Sequence, residues 1–155
     1  MQKLPLLLSL VFSTCWAMHS MAGHHKQSNI VVEKPSVRAP VTGHNMTAAF
    51  FKLTNSGEQD CKLTAASSSY AKKIEFHTHL HEDGMMKMRP VDGVELPAGS
   101  SIEFRPGGLH LMLFGVKHGD SSSAEIRLTT DQCGEVKFLA PIKSVKSQPA
   151  KPMHH

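Results

Sequence analysis

Residues 123–129 read Ser-Ala-Glu-Ile-Arg-Leu-Thr, a stretch in which polar and apolar side chains alternate. Successive side chains of a β-strand point to opposite faces, so this alternation is typical of a strand with one buried face. On both sides of it, short apolar segments recur between turn signals such as Leu-Pro-Ala-Gly at 96–99 and Arg-Pro-Gly-Gly at 105–108. No window of ten or more residues has a convincing helical period. The sequence therefore predicts an all-β sandwich or barrel.

The strands are expected within a single domain that spans residues 29–142. A chain of 155 residues with 40% hydrophobic and 19% charged content has the composition of one globular domain with short tails. Residues 23–28 and 143–155 are polar and aperiodic, and we expect them to be flexible tails. The predicted strands are 29–33, 46–54, 60–65, 73–79, 85–89, 101–104, 109–114, 124–130 and 136–140.

An export signal is predicted at residues 1–22. Lys3 supplies a positive charge, residues 4–18 are apolar, and Ser-Met-Ala at 20–22 places small residues at the cleavage positions. We therefore expect a periplasmic protein with no membrane span once the signal is removed, because the apolar stretch is too short for a stable one. Cleavage after Ala17 is a second possibility, and lipid attachment at Cys15 is a weaker alternative.

Two cysteines remain after removal of the signal, Cys61 and Cys133. In an exported chain they suggest one disulfide, with two free thiols as the alternative. They do not form the Cys-x-x-Cys motif of thiol–disulfide enzymes, and no nucleophile–base arrangement stands out elsewhere, so we expect no enzymatic activity. The formal net charge of +4 is spread along the chain, and nucleic acid is therefore not an expected partner.

Histidine and methionine are plentiful, with 11 and 9 residues, and several lie around one predicted hairpin tip. Side chains two apart on a strand share a face, so His77 and His79 point one way, as do Met86 and Met88. A four-residue loop at the tip would place His77 opposite Met88. A two-residue turn would shift the register by two and keep the same faces aligned. Either hairpin gathers imidazoles and thioethers on one surface.

A third segment adds two more donors of the same kinds. His110 and Met112 share a strand face, and the preceding Gly-Gly at 107–108 allows the backbone to turn sharply. Neutral imidazole and thioether donors suit Cu(I), whereas zinc prefers thiolate or carboxylate in place of Met. For any one of these methionines, packing in the core is the alternative interpretation. The joint pattern favours copper.

The spacing of these residues resembles that of the periplasmic PCu(A)C copper chaperones, whose pattern is His, ten residues, Met, twenty-one residues and then His-x-Met. Here His77 is followed by residues 78–87, Met88, residues 89–109 and His110-Leu111-Met112. The resemblance covers roughly residues 29–142. It also includes Val-Arg-Ala-Pro at 37–40, the segment 48–55, Glu-Phe-His at 75–77 and Pro-Gly-Gly-Leu-His at 106–110.

The resemblance implies a cupredoxin-like Greek-key β-sandwich that carries a surface-exposed Cu(I). Its partners would be the copper-bearing subunits of cytochrome c oxidase or another periplasmic copper carrier, and we expect a monomer. The implied ligands are His77, Met88, His110 and Met112. A protein that sequesters copper without delivering it is the alternative. An electron-transfer cupredoxin is not favoured, because it needs a Cys thiolate between two His ligands.

Further donors lie near the implied ligands but outside the family pattern. His79, His81, Met85 and Met86 supply extra donors that could let the metal shift position. Glu75 shares a strand face with His77 and is a candidate acceptor for orienting its imidazole, with a solvated surface residue as the alternative.

The two tails contain a second set of candidate donors. Cleavage after residue 22 would leave a free amine followed by two histidines, a nitrogen set whose square-planar geometry Cu(II) favours. We therefore predict Cu(II) capture at the tails, with plain polar tails as an equally open alternative. The tail donors are His24, His25, Met153, His154 and His155.

Overall fold

The structure is a computed structural model that describes residues 29–82, 84–117 and 121–144. These residues form ten β-strands and no helix. Nine strands correspond to the predicted ones, with ends that differ by a few residues, and the additional strand is the three-residue β6. The strands are β1 (Ile30–Arg38), β2 (Met46–Asn55), β3 (Cys61–Ser67), β4 (Lys73–Glu82), β5 (Met85–Val91), β6 (Val94–Leu96), β7 (Ser101–Phe104), β8 (His110–Phe114), β9 (Ser123–Thr130) and β10 (Glu135–Lys143).

The strands follow the spatial order β5-β4-β8-β2-β1-β10-β9-β3-β6, with β7 paired to β2 in addition. Neighbours are antiparallel except β1 and β10, which run parallel where Val37 pairs with Ile142. The path does not close, so β5 and β6 lie at its two ends. Strands β5, β4 and β8 are therefore consecutive neighbours at one end, and the predicted donors that the structure describes lie on them.

A single hydrophobic core joins the two halves of this strand path. The rings of Phe51 on β2 and Phe104 on β7 stack with centroids 4.3 Å apart, and Phe138 of β10 meets Phe51 at 5.1 Å. Leu63 and Leu128 from the other half are fully buried in the same cluster. Burying a large apolar side chain stabilises a fold by about 1.5–3 kcal/mol. The donor face is thus the outer surface of a well-packed sheet.

A disulfide joins Cys61, the first residue of β3, to Cys133 in the turn between β9 and β10. The two Cα atoms are 5.8 Å apart and the sequence separation is 72 residues. Buried Asn55 lies beside it and donates hydrogen bonds from Nδ2 to the carbonyls of Leu96 (3.1 Å) and Gln59 (2.7 Å). The crosslink therefore reinforces the end of the sandwich that β3 and β9 form.

The ends of the chain bear on several predictions. Strand β10 ends at Lys143, one residue beyond the predicted domain limit. The predicted export signal, the N-terminal tail and all the tail histidines and methionine lie outside the described residues, as does the C-terminal tail beyond residue 144. Within the described ranges, no helix has the length and apolar character needed to cross a membrane.

Candidate metal site

The predicted donors occupy the outer face of three neighbouring strands. Phe76 and Leu111 are 4% and 0% exposed and point into the core. Because side chains alternate along a strand, the residues next to them in sequence, His77 and His110, must point to the opposite face. His77 and His110 are paired directly across β4 and β8, with ring centroids 5.9 Å apart.

The tip of the β4–β5 hairpin determines which donors lie opposite one another. The strands continue to Glu82 and Met85, which pair with each other, so only two residues form the turn. Gly84 has a φ of 75°, a left-handed conformation that suits glycine because it lacks a Cβ. Of the two predicted registers, the structure has the one that places His79 opposite Met88.

A cleft of about 410 Å³ opens on this donor face. Three of the four residues implied as ligands line it: Met88, His110 and Met112. His79, which is not one of those four, lines it as well. His77 does not line the cleft, although its ring lies beside that of His110. The remaining lining residues include no carboxylate and no thiol; they are Arg38, Ala39, Val41, His44, Met46, Thr47, Ala48, Phe50, Pro106 and Gly107.

One backbone carbonyl orients two of the imidazoles. The Nδ1–H of His110 donates to the carbonyl oxygen of Gly108 at 2.9 Å, and the Nδ1–H of His79 donates to the same oxygen at 3.3 Å. A carbonyl can only accept, so Nδ1 carries the proton in both rings and Nε2 retains its lone pair. Burial lowers the pKa of His110, which favours the neutral, metal-binding form of the ring.

His77 has the opposite tautomer, with the proton on Nε2. Its Nε2–H donates to Oε2 of Glu75 at 2.8 Å, and Lys73 contacts the other carboxylate oxygen. These hydrogen bonds, that from His77 first, lower the pKa of Glu75 and keep it ionised. Nδ1 of His77 is buried and has no hydrogen-bond partner. A buried nitrogen without a partner is costly unless something binds it, and a metal ion is a suitable occupant for this lone pair.

The kinds of donor limit which metals could bind. Within residues 29–82, 84–117 and 121–144, no three His, Cys, Asp or Glu side chains converge closely enough to hold a metal ion. A zinc or calcium site built from such ligands is therefore absent from this part of the chain. A metal in the cleft would need the thioethers of Met88 and Met112, and thioethers select soft ions.

At the hairpin tip, two further predicted donors meet outside the cleft. His81 pairs with Met86, and Nδ1 of the imidazole lies 3.2 Å from the sulfur. Both side chains are exposed, Met86 by 57%. On the opposite face of the hairpin, Glu82 accepts a hydrogen bond from Arg89 at 3.0 Å, which ties the two strands together. The hairpin therefore separates a charged face from a face of nitrogen and sulfur donors.

Sequence reasoning missed two residues of the cleft, His44 and Met46. They lie across the cleft from the hairpin, where the chain enters β2. Their spacing, His-x-Met, is the same as that of His110 and Met112. This repeated spacing was the feature of the sequence that could have pointed to His44 and Met46 as further donors.

Solved PCuAC domains have similar structures. The apo PCuAC domain from PmoF1 has a TM-score of 0.64 and 25% sequence identity, with 77% of this chain and 97% of that domain covered. Cu(I)-bound DR1885 from Deinococcus radiodurans has a TM-score of 0.60 and 27% identity, covering 79% of this chain and 83% of that protein. The copper-bound PCuAC domain from PmoF2 shares the fold, with a TM-score of 0.64, 24% identity and coverage of 77% and 96%.

The fold is thus the cupredoxin-like β-sandwich of PCuAC domains, and both the predicted fold and the predicted resemblance are confirmed. The family model described as "Putative lipoprotein LpqE-like" matches residues 30–142, and the chain belongs to this LpqE-like family.

Two curated relatives share part of the sequence. The relative named "Putative lipoprotein Lxx21020", from Leifsonia xyli subsp. xyli, is 34% identical over 101 residues, which are 64% of this chain and 60% of the relative. The uncharacterized protein RP573 of Rickettsia prowazekii is 31% identical over 84 residues, or 54% of this chain and 46% of the relative. The matched region therefore spans less than two thirds of the length of either relative.

Proposed function

We propose that the protein is an exported carrier of Cu(I) that holds one ion on the outer face of β4, β5 and β8. The ligands are His77, Met88, His110 and Met112, with His79 as an auxiliary imidazole. The observation that carries the proposal is the donor set of the cleft. It contains imidazoles and thioethers but no carboxylate or thiol, a combination that suits a soft monovalent ion and few others.

The orientation of the rings supports this assignment. His110 would bind through Nε2, because its Nδ1–H is engaged by the Gly108 carbonyl. His77 would bind through Nδ1, the buried nitrogen without a partner, while Glu75 holds its Nε2–H. His79 has a free Nε2 and lines the cleft, so it can take the place of His77. Ligand hydrogen bonds of this kind fix the tautomer and the ring direction.

The same geometry suits transfer rather than permanent storage. Thioethers are neutral and bind without losing a proton, so only the imidazoles couple affinity to pH. Met88 is 42% exposed at the edge of the cleft, and an incoming donor can reach the metal from that side. An acceptor can then bind copper before the carrier releases it.

We further propose that the acceptor is a copper-bearing subunit of cytochrome c oxidase or another periplasmic copper carrier, and that the protein acts there as a monomer. The copper-bound state of similar PCuAC domains supports the cargo. The LpqE-like family and the lipoprotein relative support export.

Transfer to a purified apo acceptor tests delivery. The Cu(I)-loaded protein is mixed with the apo copper domain of an oxidase subunit, the two are separated, and copper is measured in each fraction. Delivery predicts that most of the copper moves to the acceptor. It also predicts that this transfer is faster than transfer to a chelator whose affinity for Cu(I) equals that of the acceptor. If copper stays on the loaded protein, the sequestration alternative is the better account.

A further inference from the structure

The wall of the cleft opposite the hairpin carries two donors that the four-ligand site does not use. The segment before β2 turns at Gly43, whose φ is 83°, and the backbone N–H of His44 donates to the carbonyl of Val41 at 2.9 Å. The carbonyl of Asn45 accepts a hydrogen bond from Val116 at 2.9 Å. These contacts fix the backbone on both sides of His44, so its position at the cleft is built into the fold.

The side chains of His44 and Met46 both line the cleft. Met46 is 43% exposed, so it does not serve as core filler. A long thioether left exposed beside an exposed imidazole is unexpected for packing alone, since apolar side chains are stabilised by burial. The pair repeats the His-x-Met spacing of His110 and Met112. Met46 begins β2, the strand that lies directly beside β8, and His44 lies just before it.

Met112 lies between the two donor groups. Met46 pairs with Phe114 across β2 and β8, and Ala48 pairs with Met112. Met46 and Met112 are therefore diagonal neighbours on one face, about 7–8 Å apart, which is within reach of two long side chains. The small side chain of Ala48 leaves the space between them open. A metal on the far wall could use His44, Met46 and Met112 together.

We propose that His44 and Met46, with Met112 shared, form a second Cu(I) position in the cleft. This inference rests on the proposed carriage of Cu(I). The cleft then presents soft donors on both walls, and the ion can move from one group to the other by exchanging ligands around Met112. The far wall includes Arg38, whose guanidinium lies 5.6 Å from the centre of the Phe50 ring. A fixed cation beside neutral donors disfavours divalent ions more than monovalent ones.

The test is an NMR titration that resolves the signal of each methionine methyl group. The full-length protein, labelled with ¹³C at the Met methyls, is titrated with Ag(I), a soft ion with the same charge as Cu(I) and no redox chemistry under these conditions. We expect the first equivalent to shift the methyl signals of Met88 and Met112. The second equivalent should shift the signal of Met46 and move that of Met112 again.

Two substitutions make the assignment specific. His44→Gln should delay the Met46 shift to a higher metal ratio and leave the response of Met88 unchanged. Met85→Leu is the matched control, because Met85 is 58% exposed but does not line the cleft, and it should alter neither response. His44 is exposed, so the variant is expected to fold, which the dispersion of the methyl spectrum checks directly.

The outcomes separate this inference from the proposal on which it rests. A Met46 signal that stays fixed through the second equivalent, while Met88 and Met112 respond, would overturn the second position and leave the four-ligand site intact. If none of the three signals moves, both the site and the second position are wrong. A Met46 shift that His44→Gln does not affect would also contradict the proposed pair.

Discussion

His79 lies directly opposite Met88 across the β4–β5 hairpin, while His77 faces Pro90 on that side and His110 on the other. The His-x10-Met spacing therefore does not correspond to a cross-strand pair; it links residues that are diagonal on the sheet. Strand β4 consequently offers two imidazoles to the same methionines. His79 lines the cleft with its Nε2 free, and His77 beside it has a buried Nδ1 without a partner.

This redundancy predicts non-additive effects on copper affinity. His77→Gln and His79→Gln alone should each weaken Cu(I) binding by less than about tenfold, because the remaining imidazole substitutes. The double variant should lose at least about a hundredfold, more than the product of the single effects. Competition with a chromophoric Cu(I) chelator measures all three. His81→Gln, at the exposed tip, is the control and should change little; additive single effects would contradict the redundancy.

The contact between Glu75 and His77 predicts that Glu75 affects Cu(I) affinity only in a variant that lacks the imidazole of His79 and therefore depends on His77. In the His79→Gln background, Glu75→Ala should weaken Cu(I) binding by about tenfold or more, since the imidazole loses the partner that holds Nε2–H. Glu75→Gln retains an acceptor oxygen and should cost less. Equal affinity for all these variants in the same competition assay would mean that Glu75 is only a solvated surface residue.

The disulfide predicts a loss of stability without a loss of copper binding. A crosslink between Cys61 and Cys133, 72 residues apart, restricts the unfolded chain and should contribute about 4 kcal/mol to the free energy of unfolding. Denaturant unfolding of the Cys61→Ala, Cys133→Ala variant measures this loss. The site lies on β4, β5 and β8, at the other end of the strand order, so copper affinity should be unchanged. A weaker Cu(I) site in a folded variant would contradict this separation.

The donor types predict strong discrimination against zinc. The cleft lacks carboxylate and thiolate ligands, and the described residues contain no converging group of three His, Cys, Asp or Glu. Excess Zn(II) should therefore leave bound Cu(I) in place, since zinc gains little from thioethers. Copper retained after gel filtration in a large excess of Zn(II) checks this. Displacement of copper by zinc would indicate a different ligand set.

Much of the fold could be predicted from local pattern. The alternation at 123–129 predicted β9, because a half-buried strand repeats every two residues. Val94–Leu96 was missed because three residues are too few to show such a repeat. The hairpin register stayed open because the residues at the tip are compatible with either turn length, and pairing across the strands decides between them.

The far wall of the cleft could not be predicted in the same way. His44 and Met46 become neighbours of Met112 only when β2 is placed beside β8, and that pairing joins segments far apart in sequence. His-x-Met spacing alone did not distinguish them from other exposed residues. The four residues implied as ligands were accessible to prediction because their spacing matched a known pattern, whereas the place of His79 in the cleft depends on tertiary structure.

The central claim is that the thioethers of Met88 and Met112 hold Cu(I) on this face. The most direct test is the Cu(I) stoichiometry and affinity of the wild type and of Met88→Leu plus Met112→Leu, measured by competition with a chromophoric chelator. Met85→Leu is the control for an exposed methionine outside the cleft. We predict one tightly bound Cu(I) in the wild type and in the control, and its loss in the double variant. Undiminished tight binding in the double variant would contradict the assignment of the site.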